Sequence, residues 1–298
     1  MTRLRRGFVD GPDGQLHYRE AGEGPPVLLL HLNSGTSTMY LPVMPRLATR
    51  FRVIAMDHPG YGDSDAPREP YTTMGQWSAA AVALLDALGI ERTHLIGHMT
   101  GANIAADLAA SYPERVDRLV LSEVFNWNTP ERRAAHERLH RVVPPSIDLA
   151  HLEPLWQRSF GLSQRDGRPI DWATLYNQFV ACIRINALNI TQGEDAARAY
   201  GVMGWDGATP YAMCRQDVKA ALARITAPTL VMHGDNSILF RAHQSMTAAV
   251  PGARGAILPG GDFVSPLVEP DAWARPILDF LTASEPLPSP HAPNESQT

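Results

Sequence analysis

HLIGHMTGANIAADLAASYPERVDRLVL, residues 94–121, joins a short apolar run, a glycine-flanked pentapeptide, a helical pattern and a second apolar run. That order reads as strand, sharp turn, helix and strand. Gly97-His98-Met99-Thr100-Gly101 occupies the turn and has the shape of a G-x-S-x-G elbow. In such an elbow a strained strand-to-helix turn lifts one side chain above the sheet, and the glycines remove side chains that would clash. The lifted residue here is Met99. A thioether has no proton to lose and little nucleophilicity in water, so the frame of a nucleophilic site stands without its nucleophile.

Working outward, Val27 to His31 and Arg52 to Met56 are the continuous apolar runs of strands buried on both faces, and Gln15 to Arg19 alternates polar with apolar. Leu41 to Leu47 reads as a helix, Asp57 to Pro67 as a loop dense in turn residues, and Thr73 to Leu88 as an amphipathic helix stopped by Gly89. After Ser122 the pattern changes. From Val124 to about Cys214 there are helix-like segments carrying Trp127, Trp156, Trp172 and Trp205, with no convincing strand. Alternation returns with a strand at Pro228 to His233, a helix at Ser245 to Val250, a strand at Gly255 to Leu258 and a closing helix at Asp271 to Leu281. This is the signature of a parallel sheet covered on both faces, interrupted by an all-helical insertion. The expected boundaries are 1–123 and 216–284 for the core, 124–215 for a helical cap, and 285–298 for a Pro/Ser-rich disordered tail.

The chain has 298 residues, 44% hydrophobic and 19% charged, with a net charge of -5. Such a length buries a large core. Without a dense Lys/Arg stripe there is no footprint for nucleic acid or an anionic membrane, so a small molecule is the expected partner, with a homodimer left open. Cys182 and Cys214 form neither a disulfide framework nor a metal cluster, and the scattered histidines lack ligand spacing. No metal and no cofactor are expected. No apolar stretch approaches a membrane span or a secretory signal, which makes a cytoplasmic location the default expectation.

On Asp57-His58-Pro59-Gly60-Tyr61-Gly62-Asp63-Ser64, Leu84 to Ile90, the elbow, Tyr112-Pro113-Glu114-Arg115-Val116 and Pro259-Gly260-Gly261, the chain resembles the α/β-hydrolases of the capped, epoxide-hydrolase and C–C-hydrolase type. The resemblance implies an α/β-hydrolase fold with a mostly parallel eight-stranded sheet, helices on both faces and a helical cap. It also implies a nucleophile, an acid and a histidine in that chain order. Each role falls on another residue type: Met99 for the nucleophile, Ser237 for the acid of the G-x-x-D turn, and Asp262 where the histidine follows the glycines, in Gly261-Asp262-Phe263. The His-Gly pair of the oxyanion loop is His31-Leu32, followed by Asn33 and Ser34. A Ser-His-Asp relay cannot operate with these residues.

Asp262 and Glu123 are the candidate catalytic residues. The family position would aim Asp262 into a buried pocket, where its pKa should rise and suit it to acid–base work; the competing reading is an anchor for its loop. Glu123 ends the strand after the elbow helix, where some relatives keep their acid, and could share a proton with Asp262; the competing reading is a helix cap or a salt-bridge partner for the arginine-rich insertion. Met99, Thr100, His31, Leu32, Asn33, Ser34, Trp127, Ser237 and Phe263 are the candidate substrate contacts. His98 reads as a packed, satisfied histidine, Asp235 and Ser237 as turn residues, and Arg132, Arg133, Arg138 and Arg141 as a solvated helix face. The functional expectation is cofactor-independent acid–base chemistry of a cyclase, isomerase or lyase on an apolar carbonyl-bearing metabolite, of the kind found in natural-product biosynthesis. Two alternatives stand beside it: a ligand-binding protein without turnover, and a hydrolase whose water is activated by a carboxylate.

Overall fold

A computed structural model describes residues 3–139, 142–165, 167–200 and 208–283. In chain order the elements are β1 (Arg5–Gly11), β2 (Gly14–Ala21), β3 (Pro26–Leu30), α1 (Met44–Leu47), β4 (Arg52–Met56), α2 (Met74–Ala87), β5 (Thr93–His98), α3 (Thr100–Ser111) and β6 (Val116–Ser122). There follow α4 (Pro130–Leu139), α5 (Leu152–Leu162), β7 (Gln164–Arg165), β8 (Arg168–Pro169), α6 (Trp172–Tyr200), α7 (Ala208–Met213) and α8 (Val218–Leu222). The chain closes with β9 (Thr229–Gly234), α9 (His243–Ala249), β10 (Arg254–Leu258), α10 (Ser265–Val268) and α11 (Pro270–Thr282).

Eight strands form one sheet in the order β1-β2-β4-β3-β5-β6-β9-β10. Strands β4 through β10 of that order pair in parallel, while β2 runs antiparallel to both β1 and β4. Side chains alternate between two apolar layers, as the pleat requires. Leu28, Leu30, Ile54, Met56, Leu95, Leu119 and Leu121 face α2 and α3. Val27, Leu29, Val53, Ala55, Ile96, Val120 and Met232 face α1 and α11. Burial on both sides explains why these strands read as unbroken apolar runs.

The helix flanking the elbow strand is fixed at both ends. At the start of α2, Gln76 Oε1 accepts the Thr73 N–H at 3.1 Å. At its end Gly89 takes φ 67°, and the Ile90 N–H reaches back to the Leu85 carbonyl at 2.8 Å, which closes the helix with its orphan carbonyls satisfied.

Three strands are illegible in the sequence. Arg5–Gly11 pairs in register with β2 although it carries three exposed positions in its first four and no apolar run. The insertion adds a short antiparallel hairpin, β7 with β8, to its helices. Leu41 to Leu47 contains a shorter helix than expected, beginning at Met44 after a separate turn over Ser37–Tyr40. The 285–298 tail lies outside the described residues. Among those described, no helix is long and apolar enough to cross a membrane.

Contacts place the segment between β6 and β9 above the loops that leave the parallel strands. The Gln178 side-chain amide of α6 donates to the Ser34 carbonyl, Arg184 Nη1 donates to the Gly62 carbonyl at 2.8 Å, and the Thr209 hydroxyl of α7 donates to Asn33 Oδ1 at 2.7 Å.

Candidate active site

Met99 takes φ 51° and ψ −112°, the strained conformation of an elbow residue. The two glycines are obligatory for a simple reason. A Cβ on Gly97 would lie 2.2 Å from the Gly101 carbonyl oxygen, and one on Gly101 would lie 2.0 Å from that of Leu30. The Met99 N–H donates to the Ser122 carbonyl at 2.8 Å, and its side chain packs, partly buried, on the cluster that contains Leu32 and Met232. The elbow is therefore built in full around a residue with no nucleophilic atom. Thr100 opens α3, a position whose N–H has no acceptor within the helix.

The loop after β3 is buried from His31 to Gly35. His31 Nδ1–H donates to the Leu32 carbonyl at 2.7 Å, and its Nε2 accepts the His58 N–H at 3.1 Å. His58 Nε2–H in turn donates to the His31 carbonyl at 3.0 Å. Burial pushes His31 down to about 4 and His58 well below its ordinary range, so both rings are neutral. Asn33 Oδ1 accepts from the Tyr61 hydroxyl at 2.6 Å as well as from Thr209. The Asn33 carbonyl thus anchors this loop to the insertion, a role absent from the sequence reading. Ser34 sits at φ 59°. A cleft of about 40 Å³ runs past it, lined by Thr36, Thr38, Asn177, Gln178 and Leu267.

Glu123 is 2% exposed and also has positive φ, 58°. Its Oε1 accepts the Gly234 N–H at 2.7 Å and its Oε2 accepts the Ser237 hydroxyl at 2.6 Å. It is thus neither a helix cap nor an ion-pair partner of the arginines, and Ser237 is more than a turn residue. Burial pushes the Glu123 carboxyl up to about 7; the two hydrogen bonds oppose that shift, and the charge of Asp262 adds to it.

Asp262 departs from expectation in its burial. It is half-exposed, and its Oδ1 accepts the Val264 N–H at 2.9 Å while its own N–H donates to the Ser265 hydroxyl at 2.8 Å. The loop turns here, which brings the carboxylate out beside Glu123 instead of into a closed pocket. Asp235 is a turn residue, its Oδ1 accepting the Gly260 N–H at 2.7 Å.

His98 ties these parts together. The Trp273 indole N–H donates to Ser122 Oγ at 3.2 Å, the Ser122 hydroxyl donates to His98 Nδ1 at 3.0 Å, and His98 Nε2–H donates to the Phe263 carbonyl at 2.7 Å. Burial holds His98 at about 4, a neutral and fully satisfied ring that fixes the Asp262–Phe263 loop against the elbow strand. His233 has both nitrogens engaged as well, by the Val124 carbonyl and His243. None of these three imidazoles, His31, His98 or His233, has a lone pair left for general-base work.

Trp127 is placed elsewhere than expected. Its ring lies 4.9 Å from Phe125 and 4.5 Å from His136, packed on the core beneath α4. Arg132 and Arg133 are not a solvated face either: Arg132 stacks 4.2 Å over Phe125 and Arg133 Nη2 donates to Asn128 Oδ1 at 2.9 Å. Arg141 lies outside the described residues. His17, Asp57 and Asp63 come within 4.8 Å of one another. Asp57, however, already accepts from His17 Nδ1–H and from the Ser37 and Asp63 N–H groups, so its oxygens serve the loop.

The comparisons agree with this geometry. Over 94% of this chain and 98% of its own length, the protein named as carbamate hydrolase RutD in Caulobacter sp. (strain K31) is 27% identical. The 2-hydroxy-6-oxo-6-phenylhexa-2,4-dienoate hydrolase of Comamonas testosteroni is 40% identical over 38% of this chain and 41% of its own. Among solved structures, a hydrolase from Pseudomonas aeruginosa superposes with TM-score 0.65 and 26% identity over 94% of this chain and 99% of its own. The enol-lactonase of Burkholderia xenovorans superposes with TM-score 0.68 and 22% identity, over 93% and 100%. A profile described as "alpha/beta hydrolase fold" matches residues 25–268, and the chain belongs to that family.

Proposed function

We propose that this protein hydrolyses small acyl compounds of the carbamate, amide or ester class with a water molecule activated by the Asp262 carboxylate beside the buried Glu123 carboxyl, without a covalent intermediate. The observation that carries the reading is the near-neutral Glu123 carboxyl, buried beside Asp262 at the edge where the elbow strand ends. Open α/β sheets bind ligands at this edge. The carbamate hydrolase and the hexadienoate hydrolase named above favour hydrolysis over the cyclisation, isomerisation or elimination expected from the sequence.

In this reading the half-exposed Asp262 takes a proton from water as the water oxygen bonds to the carbonyl carbon. The carbonyl oxygen becomes an oxyanion facing the Thr100 N–H at the start of α3, a donor already in place. Collapse breaks the bond to the leaving nitrogen or oxygen, which takes up the proton, so that water has been added across the bond. Glu123, tied to Gly234 and Ser237, is a positioning residue that holds the ends of β6 and β9 around the site.

Turnover of a panel of carbamates, primary amides and small esters tests this. Asp262→Asn keeps the shape and the Val264 hydrogen bond but removes the base, so affinity should survive while turnover falls by roughly 100-fold. Met99 at the elbow favours a second reading, a ligand-binding protein without turnover. A ligand that raises the melting temperature and is recovered unchanged, with every panel member intact, would decide for it.

A further inference from the structure

Far from this site, at the outer edge of the sheet, Arg3 just before β1 and Arg5 and Arg6 within it border a cavity of about 600 Å³ that Phe8, His17 and Asp63 also line. The positive charge here is not offset by the fold. Arg6 lies directly opposite Arg19 on β2, an unfavourable like-charged pair. Arg5 lies opposite Glu20, but both Nε and Nη2 of Arg52 donate to Glu20 Oε2, at 3.0 and 2.7 Å. Asp63, the cavity's one acid, is paired with Arg184 at 3.4 Å. Among the described residues no hydrogen bond or ion pair engages the side chains of Arg3, Arg5 or Arg6.

Two further observations point to a ligand. His17 is 1% exposed; its Nδ1–H donates to Asp57 at 2.8 Å, while Nε2 is buried without any partner. Buried polar nitrogens are seldom left unsatisfied. Phe8, opposite His17 with ring centroids 5.1 Å apart, keeps 52% of its surface exposed and offers a free aromatic face. As the terminal strand of the sheet, β1 also turns unpaired backbone N–H groups outward.

We propose that this cradle binds an organic phosphate of the nucleotide class, its phosphate on Arg6 and its ring on Phe8, which leave the same face of β1 two residues apart. Guanidinium groups hold phosphate through paired, charge-assisted hydrogen bonds. The cavity is of the size that small ligands occupy. The site is separate from Asp262 and Glu123, so it stands or falls independently of the proposed hydrolysis.

Titration calorimetry of the full chain with adenosine monophosphate, inorganic phosphate and adenosine, at low salt, tests the proposal. The monophosphate should bind, inorganic phosphate should bind more weakly, and adenosine should give no signal. The lost charge-assisted contact should weaken the monophosphate by about tenfold in Arg6→Gln. Phe8→Ala should reduce it to the level of inorganic phosphate. Both substitutions are at the surface and leave the core intact. Absence of binding at millimolar monophosphate, or equal affinity in wild type and Arg6→Gln, overturns the site; an unchanged affinity in Phe8→Ala overturns the nucleotide assignment.

Discussion

Replacing Glu123 by Gln isolates the electrostatics of the candidate site, because glutamine copies the protonated carboxyl and its shape. One oxygen still accepts the Gly234 N–H, and the amide can face Ser237 Oγ, which already accepts the Leu239 N–H at 3.1 Å. The hydrogen-bond part of the change is therefore small and independent of pH. The charge part is not. Glu123 rises from its ordinary 4.5 to about 7 because the fold penalises the ionised form. A carboxyl raised in this way supports the fold fully below 4.5, and that support is lost as pH climbs through 7. The shift corresponds to about 3 kcal/mol across the window. Urea unfolding of wild type and Glu123→Gln, followed by tryptophan fluorescence at a series of pH values from below 4.5 to above 7, reads it directly. The variant should gain on the wild type by about 3 kcal/mol as pH rises. A gap that stays constant across the series would refute the reasoning, since the carboxyl would then titrate alike in the folded and unfolded chains.

Three other outcomes follow from the geometry. Met99→Ser should remain inert to serine-directed organophosphonates, since His98 has both nitrogens committed to Ser122 and Phe263; mass spectrometry of the treated protein checks this. Gly101→Ala should cost about 3 kcal/mol in chemical denaturation, because its Cβ would meet the Leu30 backbone of the neighbouring strand. Ser237→Ala removes a hydrogen bond that holds Glu123 down, so any activity inflection assigned to Glu123 should move to higher pH in the variant's pH–rate profile.

What the sequence disclosed follows burial. Strands β3, β4, β5 and β6 are covered on both faces, and their apolar runs announced them; β1 is an exposed edge whose Arg-Arg-Gly start carries no such signal. The elbow was legible because its two glycines are dictated by backbone crossing. The partnership of Glu123 with Ser237 was not, since the two lie 114 residues apart and meet only when β6 and β9 pair. Asp262 was identified but misplaced in depth: its family position suggested burial, whereas its hydrogen bonds to Val264 and Ser265 turn the loop outward. Thr209 and Gln178, which tie the insertion to the loop after β3, come from helices whose faces could not be aligned from periodicity alone.

In the proposed reaction water, not a protein atom, attacks the substrate, and a single turnover in oxygen-18 water tests this. With protein in excess over a substrate chosen from the carbamate, amide and ester panel, the acid product should carry the label and the peptide containing Asp262 should keep its natural mass. Label in the Asp262 or Glu123 peptide, with unlabelled acid product from that first turnover, would mean a covalent acyl-carboxylate intermediate and would rule out direct attack by water.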